Sequence, residues 1–152
     1  MNYEKKIQEL YIELPELALS KGGGVRAVRS GKLLFVEGCL PYSDGKLMHR
    51  GRVGMELSVD QGVQAARYAV IQALSAIHAT AGSVNQVKQI VKLSGSISSG
   101  PDFKEHERIL DGAGQLLVQV FGSAGRAAQS AVGVLSLPQG ASVSLSLIIE
   151  LK

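Results

Sequence analysis

The sequence predicts an α+β fold in which two helices cover one face of a sheet, and three observations carry that prediction. First, the closing stretch alternates: Val143, Leu145, Leu147, Ile149 and Leu151 point one way, while Ser142, Ser144, Ser146 and Glu150 point the other, Ile148 being the exception. Period two is the mark of a strand with one face in a core. Second, Ser58-Val59-Asp60-Gln61 is a capping box, followed by a helical pattern to Ala81 with Gly82 as its terminator. Third, Phe103, Leu110, Ala113, Leu117, Val120 and Phe121 form an apolar stripe at helical spacing.

In chain order, Tyr3, Ile7, Leu10, Tyr11 and Leu14 predict a short amphipathic helix stopped before Pro15. Gly22-Gly23-Gly24 reads as a flexible lead-in to the first strand, since no Gly-Lys-Ser/Thr follows at phosphate-loop spacing. Residues 25–30 and 33–37 predict a hairpin around Gly31-Lys32. Residues 42–55 are polar and glycine-rich, a surface loop with room for one short strand. The helix that follows turns Gly62, Ala66, Ala69, Val70, Ala73, Leu74 and Ile77 inward, and their small size lets it lie close on a sheet. Residues 84–98 read as a long strand with Val87, Val91, Leu93 and Ile97 alternating with Lys88 and Lys92. Asp102 is the expected cap of the second helix, with Glu105 at the box position. Gly112 and Gly114 weaken that helix by roughly 1 kcal/mol each, and nothing in the sequence accounts for them. Residues 126–134 read as a buried strand of small residues, and Pro138-Gln139-Gly140 turns the chain into the closing strand.

At 152 residues, with no internal repeat or linker, the chain suits one domain, residues 1–152. A composition 45% hydrophobic and 19% charged supports a real core. The net charge of +3 comes from scattered basic residues, and there is no tryptophan, so a nucleic-acid surface has little support. The single cysteine, Cys39, excludes an internal disulfide. The first residues lack the apolar core of a signal peptide, and no apolar run would span a bilayer. A cytoplasmic protein is the expectation. Two helices cover one face of such a sheet, and the other face still needs cover. With this apolar content the predicted cover is self-association. The serine face of the last strand is polar but almost uncharged, which fits a cleft or a subunit contact as well as a solvated surface.

The order and spacing of several pieces resemble the YjgF/RidA (Rid) family over almost the whole chain. These are Leu14-Pro15, Gly31-Lys32-Leu33-Leu34-Phe35-Val36-Glu37-Gly38, Leu40-Pro41, Ala65-Ala66-Arg67-Tyr68-Ala69, Gly82-Ser83-Val84-Asn85-Gln86-Val87, Pro101-Asp102-Phe103, Val120-Phe121-Gly122 and Ser130-Ala131-Val132-Gly133-Val134 through Leu137-Pro138. The likeness is to the longer branch, whose members run to about this length. It implies a chorismate-mutase-like α+β fold with a mixed sheet, a homotrimer, and clefts between subunits that bind small carboxylates. No cofactor and no metal are expected. Active members hydrolyse reactive enamines and imines made by pyridoxal-phosphate enzymes.

The resemblance also places a ligand site, and there the sequence departs from the pattern. The arginine that grips the substrate carboxylate falls at Gln129, and the glutamate proposed to position water falls at Ser144. A tyrosine falls at Gly24 and an asparagine at Pro101, while the glycine after the second strand is kept as Gly38. The main chain at Ala131 still offers its amide. Arg126 stands three residues before Gln129, and odd spacing on a strand sends it to the opposite face. Glu37 reads either as an acid/base in the cleft or as an exposed strand end. Cys39 would need a nearby base to act as a nucleophile, and the sequence names none, so a semi-buried structural thiol is the plainer reading. His49, His78 and His106 have no Cys, Asp or Glu partner at metal spacing and read as surface residues.

Three functions follow in order of support. The first is a trimer binding a small metabolite as a divergent imine or enamine deaminase. The second is a non-catalytic metabolite-binding or regulatory trimer. The third is the endoribonuclease or translation-inhibitor activity named for some relatives. No catalytic residue is assigned.

Overall fold

The computed structural model describes residues 2–16 and 26–152. Gly22-Gly23-Gly24 and Val25 lie outside the described residues. The chain runs α1 (Tyr3–Glu9), β1 (Ala27–Ser30), β2 (Leu33–Cys39), β3 (Tyr42–Ser43), β4 (Lys46–Leu47), α2 (Val59–Ala81), β5 (Val87–Ser98), α3 (His106–Phe121), β6 (Ala128–Val134) and β7 (Val143–Leu151). Five strands form one sheet in the order β1-β2-β7-β5-β6, and β3 and β4 form a separate hairpin. The sheet is mixed: β6 joins β5 in parallel, and the other neighbours are antiparallel.

α2 lies over β2 and β7, and α3 lies over β5 and β6. Between helices and sheet sits the core, with Leu34, Val36, Leu93, Ile97, Leu145 and Leu147 facing Ala66, Leu74, Leu110 and Leu117, all at most 2% exposed. β7 buries every second residue from Val143 to Leu151, as its period predicts. The Ser58–Gln61 capping box forms in both directions, and Gly82 ends α2 in the left-handed region at φ 87°. Gly31, at φ 62°, takes the first central position of the two-residue β1–β2 turn, which a side chain would strain.

Several expectations are corrected. α1 ends at Glu9, with Tyr11 at φ 57° turning the chain away before Leu14. The loop after β2 holds two short strands where one was expected. β5 starts at Val87 after a turn of 3-10 helix, and a bulge between Ile90 and Lys92 breaks its alternation. Ile90 is therefore buried and Val91 is 38% exposed. Asp102 caps nothing: the Phe103 amide donates to the Gly100 carbonyl at 3.2 Å, closing a turn with Pro101 and Asp102 at its centre. α3 begins four residues later at His106, without a side-chain cap. Phe103 accordingly precedes the helix. β6 is an edge strand, largely exposed in the single chain, because among the described residues only β5 pairs with it. Ser142 precedes β7 and is fully buried, so it does not share the serine face.

Gly112 has a packing reason. A Cβ there would stand 2.7 Å from Val63 Cγ1 and 3.0 Å from the Val63 carbonyl, and one on Gly62 would stand 3.0 Å from Ile109 Cδ1. The two helices cross on these glycines.

The face away from the helices stays open. It carries Val28, Leu33, Phe35 and Val132, each more than a third exposed, among Ser94, Ser96, Ser144 and Ser146. No helix among the described residues is long and apolar enough to cross a membrane.

Candidate functional site

The exposed edge at β6 leaves an open cavity of about 590 Å³ between that strand and α3. Gln129 pairs in register with Leu93, whose side chain is in the core, so Gln129 faces the helix side of the sheet. There its Nε2 donates to Asp111 Oδ1 at 3.3 Å. Asp111, Gln115 and Gln119 line the same wall, one helical turn apart on α3. Arg126 lines the cavity too. β6 begins only at Ala128, so strand alternation does not reach Arg126, which follows the turn Gly122–Gly125. Arg126 is exposed and makes no side-chain hydrogen bond or ion pair among the described residues. Among the described residues one guanidinium, one carboxylate and three amides thus share the cavity, and their formal charges cancel.

The remaining predicted residues lie elsewhere. Ala131 pairs with Gly95 on the helix side. Ser144 pairs with Ser96 on the open face, half-buried. Between Val36 and Cys39 two residues of β2, Glu37 and Gly38, stand against one of β7, Ser146, and at this bulge Gly38 is at φ 63°. Its carbonyl accepts from Arg26 Nη1. Beside the bulge, Glu37 accepts a 2.8 Å hydrogen bond from Ser146 Oγ and lines a depression of about 100 Å³ on the open face with Lys92 and Ser94. Cys39 is 2% exposed, and burial pushes its thiol up to about 12 against the opposing pull of the Arg26 charge. That holds it as an inert thiol. Pro101 is exposed in the turn before α3. Within one chain, then, Gln129 and Arg126 share the helix-side cavity, with Ala131 on the same face of the sheet, while Ser144 lies on the open face, as Glu37 does.

A family model described as "YjgF/chorismate mutase-like, putative endoribonuclease" matches residues 4–151. The chain belongs to the YjgF/Rid family. Among YjgF/Rid relatives, it is 39% identical over 146 residues to Protein TCP17 of Trypanosoma cruzi, covering 95% of this chain and 91% of that protein. The crystal structure of Atu1372 from Agrobacterium tumefaciens, described as of unknown function, is 34% identical with TM-score 0.92, covering 99% of this chain and 92% of that one. A "putative endoribonuclease" structure from Shewanella oneidensis is 30% identical with TM-score 0.96, covering 99% and 100%.

Sequence reasoning missed Asp111, Gln115 and Gln119. Their signal was present: three polar residues at i, i+4 and i+8 on the flank of an otherwise apolar helix. It also missed Arg26, whose contact with Gly38 depends on a strand pairing that no local pattern announces. His78, read as a surface residue, is exposed and has Nδ1 3.4 Å from Glu4 Oε1.

Proposed function

We propose that this protein binds a small polar metabolite of little net charge in a cleft completed by a second copy of the chain, within a homotrimer. One observation carries the reading. The residues that the family likeness assigns to one ligand site fall into two groups, with Gln129 on the helix side of the sheet and Ser144 on its open face. A site that uses both must draw them from different chains. The open face supports this, since its exposed Val28, Leu33, Phe35 and Val132 lie among uncharged serines and call for cover.

The chemistry of the helix-side cavity favours a weakly charged ligand. A carboxylate entering a partly dry cleft is costly unless a charged partner meets it. Gln129 brings no charge and no fork, and its amide nitrogen is already engaged by Asp111. Arg126 is balanced by Asp111 in the same cavity. Ser144 has no carboxylate with which to hold water. Hydrolysis of imines or enamines is then confined to substrates that do not need a carboxylate anchor, and a purely binding or regulatory role is the alternative.

The test is turnover of enzymatically generated 2-aminoacrylate by the purified protein beside an active family member. Losing a preorganised group at a developing charge costs about 10²–10³ in rate, so wild-type turnover is expected at least about 10²-fold lower. The double variant Gln129→Arg/Ser144→Glu should recover part of it. Wild-type turnover equal to the active member would overturn the reading. Nuclease function, carried in the names of relatives, predicts RNA binding that weakens steeply with salt.

A further inference from the structure

A second cavity, of about 520 Å³, opens between α1, the residues after it and the last turns of α2. It shares no residue with the cavity at Gln129. Its walls include Ile7, Ile12 and Leu14, and its polar lining includes Glu4, Glu16 and His78. Among the described residues no lysine or arginine lines it. Glu4 is held in place: its Oε1 accepts from Ser83 Oγ at 2.8 Å and lies 3.4 Å from His78 Nδ1. Ser75 lines the cavity from α2, is only 4% exposed, and its Oγ has no hydrogen-bond partner among the described residues.

We propose that this cavity binds a small organic cation, a primary ammonium on an apolar body. The volume falls in the range of small-molecule sites, and apolar walls with a few convergent polar groups are their usual build. Among the described residues two carboxylates line the space, and one histidine offers to balance them. An anion is repelled there, and a neutral ligand leaves the carboxylates without a charge partner. An ammonium carries three donors and no acceptor. It can give two to Glu4 and Glu16 and the third to the Ser75 hydroxyl, a buried polar group of the kind that ordinarily finds a partner. Ile7, Ile12 and Leu14 then cover the apolar body.

The experiment is calorimetric titration of the full-length protein with three probes of one shape: 2-phenylethylamine, 2-phenylethanol and phenylacetate. The amine should bind saturably and at least about 10-fold more tightly than the alcohol, the factor expected of a partly desolvated charge pair, and phenylacetate should not bind. Glu16→Gln and Ser75→Ala should each weaken the amine severalfold. Ala79 is an exposed lining residue on α2, so Ala79→Trp should fill the mouth and abolish binding with thermal unfolding unchanged. Three results would overturn the proposal. One is no saturable amine binding, as when another part of the chain or a second copy occupies the cavity. The others are equal affinity for all three probes, and amine binding that survives Ala79→Trp, the mark of counter-ion binding elsewhere on the surface.

Discussion

Gln129 lies where a side chain on Gly114 would be: a Cβ built on Gly114 would overlap Gln129 Oε1. The glycine in α3 opens a notch for the glutamine of the strand edge, which then reaches Asp111 at 3.3 Å. The sequence shows only a helix weakened by a glycine. The structure shows what that weakness makes room for.

Gly112 and Gly114, two residues apart, should therefore respond differently to alanine. At Gly114 the obstacle is the far end of an exposed side chain, which can swing aside. Gly114→Ala should change stability by no more than about 1 kcal/mol, with the gain in helix propensity offsetting the lost Asp111 bond. At Gly112 the obstacle includes the Val63 backbone. Gly112→Ala should destabilise by about 1–3 kcal/mol, as overpacking does. Urea unfolding of both variants measures the contrast.

Cys39 should be silent to thiol reagents in the native state and should set an alkaline limit. Its folded value is raised from 9.0 to about 12 by burial. The buried neutral thiol favours the fold fully below pH 9, and that advantage is lost as pH rises toward 12, because the unfolded chain releases its proton first. The slope from this group is at most about 1.4 kcal/mol per pH unit. Denaturation midpoints of the wild type should fall across that window more steeply than those of Cys39→Ala.

Phe35, on the open face, is 39% exposed in the single chain and lies opposite Ile148 and Val28. Phe35→Lys should leave circular dichroism unchanged and lower the mass seen by light scattering from trimer to monomer. A wild type that is monomeric at micromolar concentration would remove the basis of the proposed assembly. The same assembly should hide Ser144 and Ser146 from solvent.

The fold was readable wherever one local rule decided an element. The Ser58 box, the Gly82 stop and the alternation of β7 each have a short-range cause, and all three hold. Misreadings arose where tertiary contacts overrode local pattern. Asp102 has a cap residue's chemistry, yet the turn at Pro101 takes it first. The small residues of β6 read as interior, yet its place at the sheet edge follows from pairing order alone. For the site, residue types were legible and grouping was not. Arg126 joins Gln129 because the strand starts two residues after Arg126, a boundary no side chain marks.

If the site is divided between two chains, thiol crosslinking should join Gln129 of one copy to Ser144 of another. In a Cys39→Ala background, which leaves no other cysteine, Gln129→Cys and Ser144→Cys would be introduced singly and together and treated with a short bifunctional maleimide. Inter-chain dimers and trimers are expected on a denaturing gel for the double variant and neither for the single ones. They should persist on dilution as long as the assembly does. A double variant that stays monomeric on that gel while light scattering shows an intact oligomer would contradict the claim that Gln129 of one copy meets Ser144 of another.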